Sequence, residues 1–235
     1  PHFLILDEMN LSHVERYFAD FLSGLESDEE IPLHKNELIK DVPKQLRLPK
    51  NLFVIGTVNI DETTYMFSPK VLDRANVMEF RVSQTEIADF LENPVKPNLE
   101  LLDRKGAGMG ASFVALATKD ELPYTDKDAL NKELLQFFGQ LKLSGAEFGY
   151  RTAHEMHRLA GALQALWSDY ESWQVIDICI MQKLLPKVHG SRKKMEPILL
   201  AMAKLCVKDT VEVKELFKKE KFETPKEKKD LLYPM

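Results

Sequence analysis

Near the start of the chain, in "PHFLILDEMN", the apolar residues Phe3, Leu4, Ile5 and Leu6 run straight into Asp7 and Glu8. A short, continuous apolar run reads as a strand buried on both faces, the pattern of a parallel sheet. A second such run, "NLFVIGTVN" from Asn51 to Asn59, is rich in β-branched residues. Between them, "LSHVERYFADFLSGLE" spaces Val14, Tyr17, Phe18, Phe21, Leu22 and Leu25 along one face of an amphipathic helix, with Ser12 as its N-cap. Strand, helix and strand in that order predict an α/β fold. The acidic, proline-containing stretch from Ser27 to Pro49 reads as loop with a short hairpin. "SPKVLDRA" then predicts a short helix with Pro69 near its start, and "NVMEFRV" a third strand.

After Val82 the pattern changes. Helical periodicity runs from Asn131 to Leu143, Tyr150 to Leu166, Trp173 to Leu185 and Lys194 to Cys206. The expected organisation is an α/β part over residues 1–85, a helical part over 86–210 and a polar, mixed-charge tail over 211–235. An irregular insert near 93–128, rich in Pro, Gly and charge, gives no clear element.

The polar groups fall at the ends of these elements. Ligands of parallel α/β sheets collect at the carboxyl ends of strands, where Asp7, Glu8 and Asn59 are expected. Phosphoryl transfer to water needs a carboxylate to hold Mg2+ through its water shell and a base or polariser for the attacking water. It also needs a polar group to orient that water and a cation for the developing charge. Asp7, Glu8, Asn59 and Arg74 match those needs in that order.

In order and wording these segments resemble the AAA+ NTPases, in particular the McrB-like branch, the motor subunits of modification-dependent restriction systems. That family's Walker B strand ends in Asp-Glu-x-Asn, matched by Asp7, Glu8, Met9 and Asn10. Its sensor 1 strand is matched by Val58 and Asn59, with Asp61 two residues after the Asn rather than three. "LDRANVMEF" resembles the arginine-finger helix and the strand after it, and "FGYRTAHEMHRLA" the lid helix that begins Gly-Tyr-Arg. The resemblance spans Phe3 to about Cys206.

It implies a partial parallel AAA+ sheet of Walker B and sensor 1 strands, followed by an α-helical lid. Catalytic roles would fall to Asp7, Glu8, Asn59 and Arg74, with Asp7 holding Mg2+ through water. Asn10 and Arg151, the latter as sensor 2, would serve nucleotide binding. ATP or GTP would be the substrate, and nothing in the sequence chooses between them. The intact protein would be a ring-forming homo-oligomer, a hexamer by resemblance, that drives a separate nuclease subunit. DNA would be contacted through regions outside this chain.

Two departures bear on that implication. Family motors carry a run of arginines at the finger, whereas Arg74 is followed by Ala75 and Asn76. No Gly-x-x-x-x-Gly-Lys-Ser/Thr occurs, so the loop that cradles β- and γ-phosphates is expected ahead of Pro1, in a longer protein. On this reading the chain alone binds nucleotide feebly and hydrolyses almost none. The alternative is a non-catalytic assembly or interaction module built on an AAA+ scaffold.

Other features take plainer readings. "GAGMGA" (Gly106 to Ala111) follows no buried strand and reads as a flexible loop rather than a dinucleotide site. His154 and His157 stand three apart, not the four of a zincin, and read as surface histidines. The basic cluster "HGSRKK" (His189 to Lys194) reads as a solvated loop. Cys179 and Cys206 sit in apolar surroundings and read as free thiols of a reducing compartment. A formal net charge of -5 gives no reason to expect a nucleic-acid-coating surface. Without a bilayer-length apolar run or a signal-like start, no membrane contact and a cytoplasmic location are expected.

Overall fold

A computed structural model describes residues 1–27, 29–37, 41–59, 65–143, 145–207 and 213. The expected polar tail over 211–235, Val213 apart, and Asp61 lie outside these. The chain is α/β and divides into two compact units. One comprises Pro1–Val71 with Met78–Asp120, the other Leu72–Val77 with Glu121–Met235. The expected boundary at 85/86 therefore falls inside the first unit.

In the first unit, β1 (His2–Leu6) leads through a 3-10 turn (Met9–Leu11) to α1 (Val14–Tyr17) and α2 (Ala19–Ser27). The single helix expected here is broken at Phe18, and the residue capping α1 is His13 rather than Ser12. The break lets Phe18 stack on Phe21 with ring centroids 4.9 Å apart, and both join Val14 and Val71 in a small apolar core. The expected hairpin is β2 (Ile31–Pro32) against β3 (Gln45–Leu46), antiparallel with Ile31 opposite Leu46. β4 (Leu52–Gly56) returns beside β1 as its parallel neighbour, in the register Leu4↔Val54 and Leu6↔Gly56.

This sheet differs from the expected one in two respects. Leu4, Leu6 and Val54 face the small core, but Ile5 on the other face is 64% exposed. The strands are therefore covered mainly on one side. The segment "NVMEFRV" joins no ladder, and its Phe80 is 93% exposed. A strand forms only where a neighbouring strand takes its backbone N–H and C=O groups; among the described residues no strand pairs with this segment, and its Val77 N–H donates to Gln182 O instead.

After α3 (Pro69–Leu72), the first unit continues with α4 (Gln84–Glu92). Ser83 and Glu86 close a reciprocal capping box at its N-terminus. The region expected to be irregular holds a 3-10 turn (Leu99–Leu102) and α5 (Gly110–Ala117). The last two residues of "GAGMGA" thus open a helix rather than lying in a loop. Phe113 of α5 packs edge-on against Phe53 at 4.7 Å between centroids and near Phe3 at 5.8 Å. That aromatic contact keeps α5 with the sheet, which is why the first unit runs on to Asp120.

The second unit contains α6 (Lys127–Lys142), α7 (Tyr150–Leu166), α8 (Ser172–Lys183) and α9 (Arg192–Leu205), as the periodicity predicts to within a few residues. Leu130, Leu134, Phe137 and Leu141 recur at helical spacing on α6 and meet Met156, Ala160, Val175, Ile176 and Met202 in one core. At Gly161 an added Cβ would lie 2.0 Å from the Leu122 carbonyl oxygen, so only glycine lets that stretch of irregular backbone cross α7. Cys179 is buried in this core, and burial pushes its thiol up to about 12. No described helix is long and apolar enough to cross a membrane.

Candidate functional site

The carboxyl ends of β1 and β4 come together because the two strands are parallel and adjacent. The ladder continues past the last paired residues: Thr57 N–H donates to Leu6 O at 3.0 Å, and Met9 N–H to Thr57 O at 3.0 Å. Beyond Asp7 the backbone turns sharply, with Glu8 in the left-handed region at φ 49° and ψ 45°. An L-residue there costs roughly 1–2 kcal/mol, and such positions concentrate where a side chain must be aimed. At Gly56 an added Cβ would lie 1.9 Å from Met9 Sδ, so any larger residue there would push the Met9 side chain aside.

Thr57 secures the two acids. Its hydroxyl accepts from Glu8 N–H at 2.8 Å and donates to Asp7 Oδ1. Asn59 Nδ2 donates to Glu8 Oε1 at 3.3 Å. Behind them Asn10, only 3% exposed, donates from Nδ2 to Asn59 O at 2.9 Å. Asn10 therefore sits beneath the site and fixes the backbone of Asn59, while Asp7, Glu8 and Asn59 are exposed. The structure thus brings Asp7, Glu8, Asn10 and Asn59 to one strand edge.

Arg74 and Arg151 belong to the second unit. Arg151 is exposed on the first turn of α7. Arg74 is half-buried in the segment Leu72–Val77, which is held by a polar cluster. Lys183 Nζ donates to Asp73 O at 3.2 Å and to Ala75 O at 2.7 Å, so its two bonds straddle Arg74. Lys187 Nζ pairs with the Asp73 carboxylate and donates to Thr152 Oγ1 at 2.7 Å. Thr152 in turn donates to Asp73 Oδ1 at 3.1 Å. Val77 N–H adds a bond to Gln182 O at 3.2 Å. Lys183 is fully buried, and that burial lowers its pKa. Glu155 and Asp73 pull it up, and Lys187 pushes it further down.

Sequence reasoning missed Thr57, Asp73, Thr152, Lys183 and Lys187. Thr57 lies between the apolar run and Asn59, one residue past β4, where a hydroxyl at a parallel strand end can reach the turn after its neighbour. Lys183 had a signal too. It lies one helical repeat after Val175, Ile176, Cys179 and Ile180, on the buried face of α8, and a lysine there must find acceptors.

The histidines are not equivalent. His154 is exposed, whereas His157 is half-buried with Nε2 2.8 Å from Asn131 Oδ1. Burial, then the charges of Lys127 and His154, hold the pKa of His157 down. Among the described residues no group of three or more His, Cys, Asp or Glu is arranged to hold a metal directly. An exposed carboxylate such as Asp7 still suits a hard cation that keeps most of its waters.

A family model described as "Domain of unknown function" (DUF8727) matches residues 98–230. No curated protein and no solved structure matches the chain.

Proposed function

The chain belongs to the DUF8727 family, and we propose that it is the Walker B-to-lid part of an AAA+ nucleoside triphosphatase of McrB-like type. The family match begins at residue 98, so it spans helices α5 to α9 and leaves Asp7, Glu8, Asn59 and Arg74 outside it. The observation that carries the reading is the contact of Asn59 Nδ2 with Glu8 Oε1 across two parallel, adjacent strand ends. Two acids and an amide at that edge are the groups that hydrolysis of a phosphoanhydride requires.

In this reading Glu8 accepts a proton from the water that Asn59 orients. The oxygen of that water bonds to the γ-phosphorus, the bond from that phosphorus to the β–γ bridging oxygen breaks, and a nucleoside diphosphate and inorganic phosphate leave. Asp7 would hold Mg2+ through water, and the ion would neutralise charge on the β- and γ-phosphates. Arg74 would act on the nucleotide of a neighbouring subunit in a homo-oligomeric ring, and Arg151 would contact nucleotide from the helical lid. The reading needs a phosphate-cradling loop from chain beyond these 235 residues. A nuclease subunit and DNA contacts lying elsewhere belong to the same proposal.

The test is Mg2+-dependent phosphate release from ATP and GTP by the full-length protein. Turnover of either nucleotide supports the reading. Binding without turnover supports the alternative, a non-catalytic assembly module.

A further inference from the structure

We propose that Lys183 and Lys187 are positioning residues for Arg74, so that the helical unit sets where this arginine stands. The inference rests on the reading of Arg74 as the cation supplied to a neighbour's nucleotide. Its basis is the packing of Leu72–Val77, which belongs to the helical unit although both flanking stretches belong to the other. Lys183 bonds the carbonyls on either side of Arg74, those of Asp73 and Ala75. Lys187 and Thr152 hold the Asp73 carboxylate from a second direction.

A buried lysine is costly unless its charge is hydrogen-bonded. A core position on α8 would be filled more simply by an apolar residue, as Val175, Ile176 and Ile180 are. What a lysine adds here is a grip on two backbone carbonyls, one on either side of the same arginine. An arginine that must meet a nucleotide on another subunit gains from such a grip, because misplacement by about 1 Å costs on the order of a hundredfold in rate. Arg74 therefore moves with α8 and the turn after it, and any shift of the helical unit on nucleotide binding carries the arginine along.

The test uses full-length protein and mixed assemblies. Lys187→Met and, as a change that keeps shape, Asp73→Asn are each expected to lower kcat at least tenfold. KM is expected to stay within about twofold, since neither residue serves the subunit's own nucleotide. Lys187→Arg, which keeps the charge, is expected to restore most of the rate. The deciding experiment mixes either variant with Glu8→Gln subunits. A Glu8→Gln subunit keeps a well-placed Arg74, and a Lys187→Met subunit keeps Glu8. Mixing them equally should restore activity at roughly a quarter of the interfaces of a cyclic ring. Recovery on mixing, with each variant nearly inactive alone, is the predicted result. A Lys187→Met or Asp73→Asn protein of wild-type kcat, or a mixture that stays inactive while each variant unfolds at the wild-type temperature, overturns the inference and leaves the hydrolysis reading standing. A wild-type protein that hydrolyses neither nucleotide overturns both.

Discussion

Asn59 Nδ2 lies 3.3 Å from Glu8 Oε1, although the two residues are separated by 51 positions in the chain. Parallel pairing of β1 with β4 brings them together, and a left-handed backbone at Glu8 turns its carboxylate toward the neighbouring strand end. Thr57 ties the acids to that edge through one hydroxyl.

Thr57→Val keeps the shape of the side chain and removes that hydroxyl. In the full-length protein kcat is expected to fall by about 10- to 100-fold, the usual effect of losing a partner behind a reacting group. KM should change little, because Thr57 bonds the two acids and has no contact with nucleotide in the proposed reading. Steady-state phosphate release checks this, and an unchanged kcat contradicts the assigned role.

The backbone at Glu8 makes a separate prediction. Glu8→Gly and Glu8→Ala both remove the carboxylate, but only glycine occupies φ 49° without steric cost. The glycine variant should therefore be more stable than the alanine variant by about 1 kcal/mol. Paired urea denaturations measure the difference. The reverse order, which is normal for ordinary positions, contradicts the left-handed turn.

Lys183 predicts a dependence of stability on pH. Burial holds its folded pKa below the ordinary 10.5, so the unfolded chain binds more protons than the folded one between those two values. Its contribution to stability therefore rises with pH across that window and is constant above and below it. The Lys183→Met variant lacks this term. The stability difference, wild type minus variant, should grow as pH increases through the window. A difference that is flat or falls with pH contradicts the burial of a charged lysine.

The alternation in "NVMEFRV" and its freedom from any described ladder make a prediction for this chain in isolation. Met78, Phe80 and Val82 are exposed, and an exposed apolar segment with strand-like alternation tends to pair with another chain. The isolated chain should self-associate, and Phe80→Glu should reduce it. Light scattering at a series of concentrations reads both. A wild-type chain that stays monomeric contradicts this account of the segment.

Much of this was legible in the residues. Helices α6 to α9 announce themselves by periodicity, since each must bury one stripe against the others. The convergence of Asp7, Glu8 and Asn59 was legible because a parallel sheet brings the carboxyl ends of neighbouring strands together. What sequence could not give depended on partners far along the chain. "NVMEFRV" has a strand's alternation but no described neighbour to pair with. α5 joins the first unit through Phe113 and Phe53, sixty residues apart. The Asp73 cluster needs Thr152 and Lys183, outwardly ordinary helix residues, and Lys187 from the 3-10 turn Leu185–Lys187 after α8.

In the proposed reading Glu8 polarises the attacking water at a nucleotide site. Nucleotide binding and single-turnover phosphate release, measured side by side on full-length wild type and Glu8→Gln with Mg2+ and ATP or GTP, test it most directly. The wild type should release phosphate, while Glu8→Gln should bind nucleotide as tightly and release almost none, because the change removes one charge and leaves Asp7 in place. A Glu8→Gln protein that hydrolyses at the wild-type rate contradicts the claim.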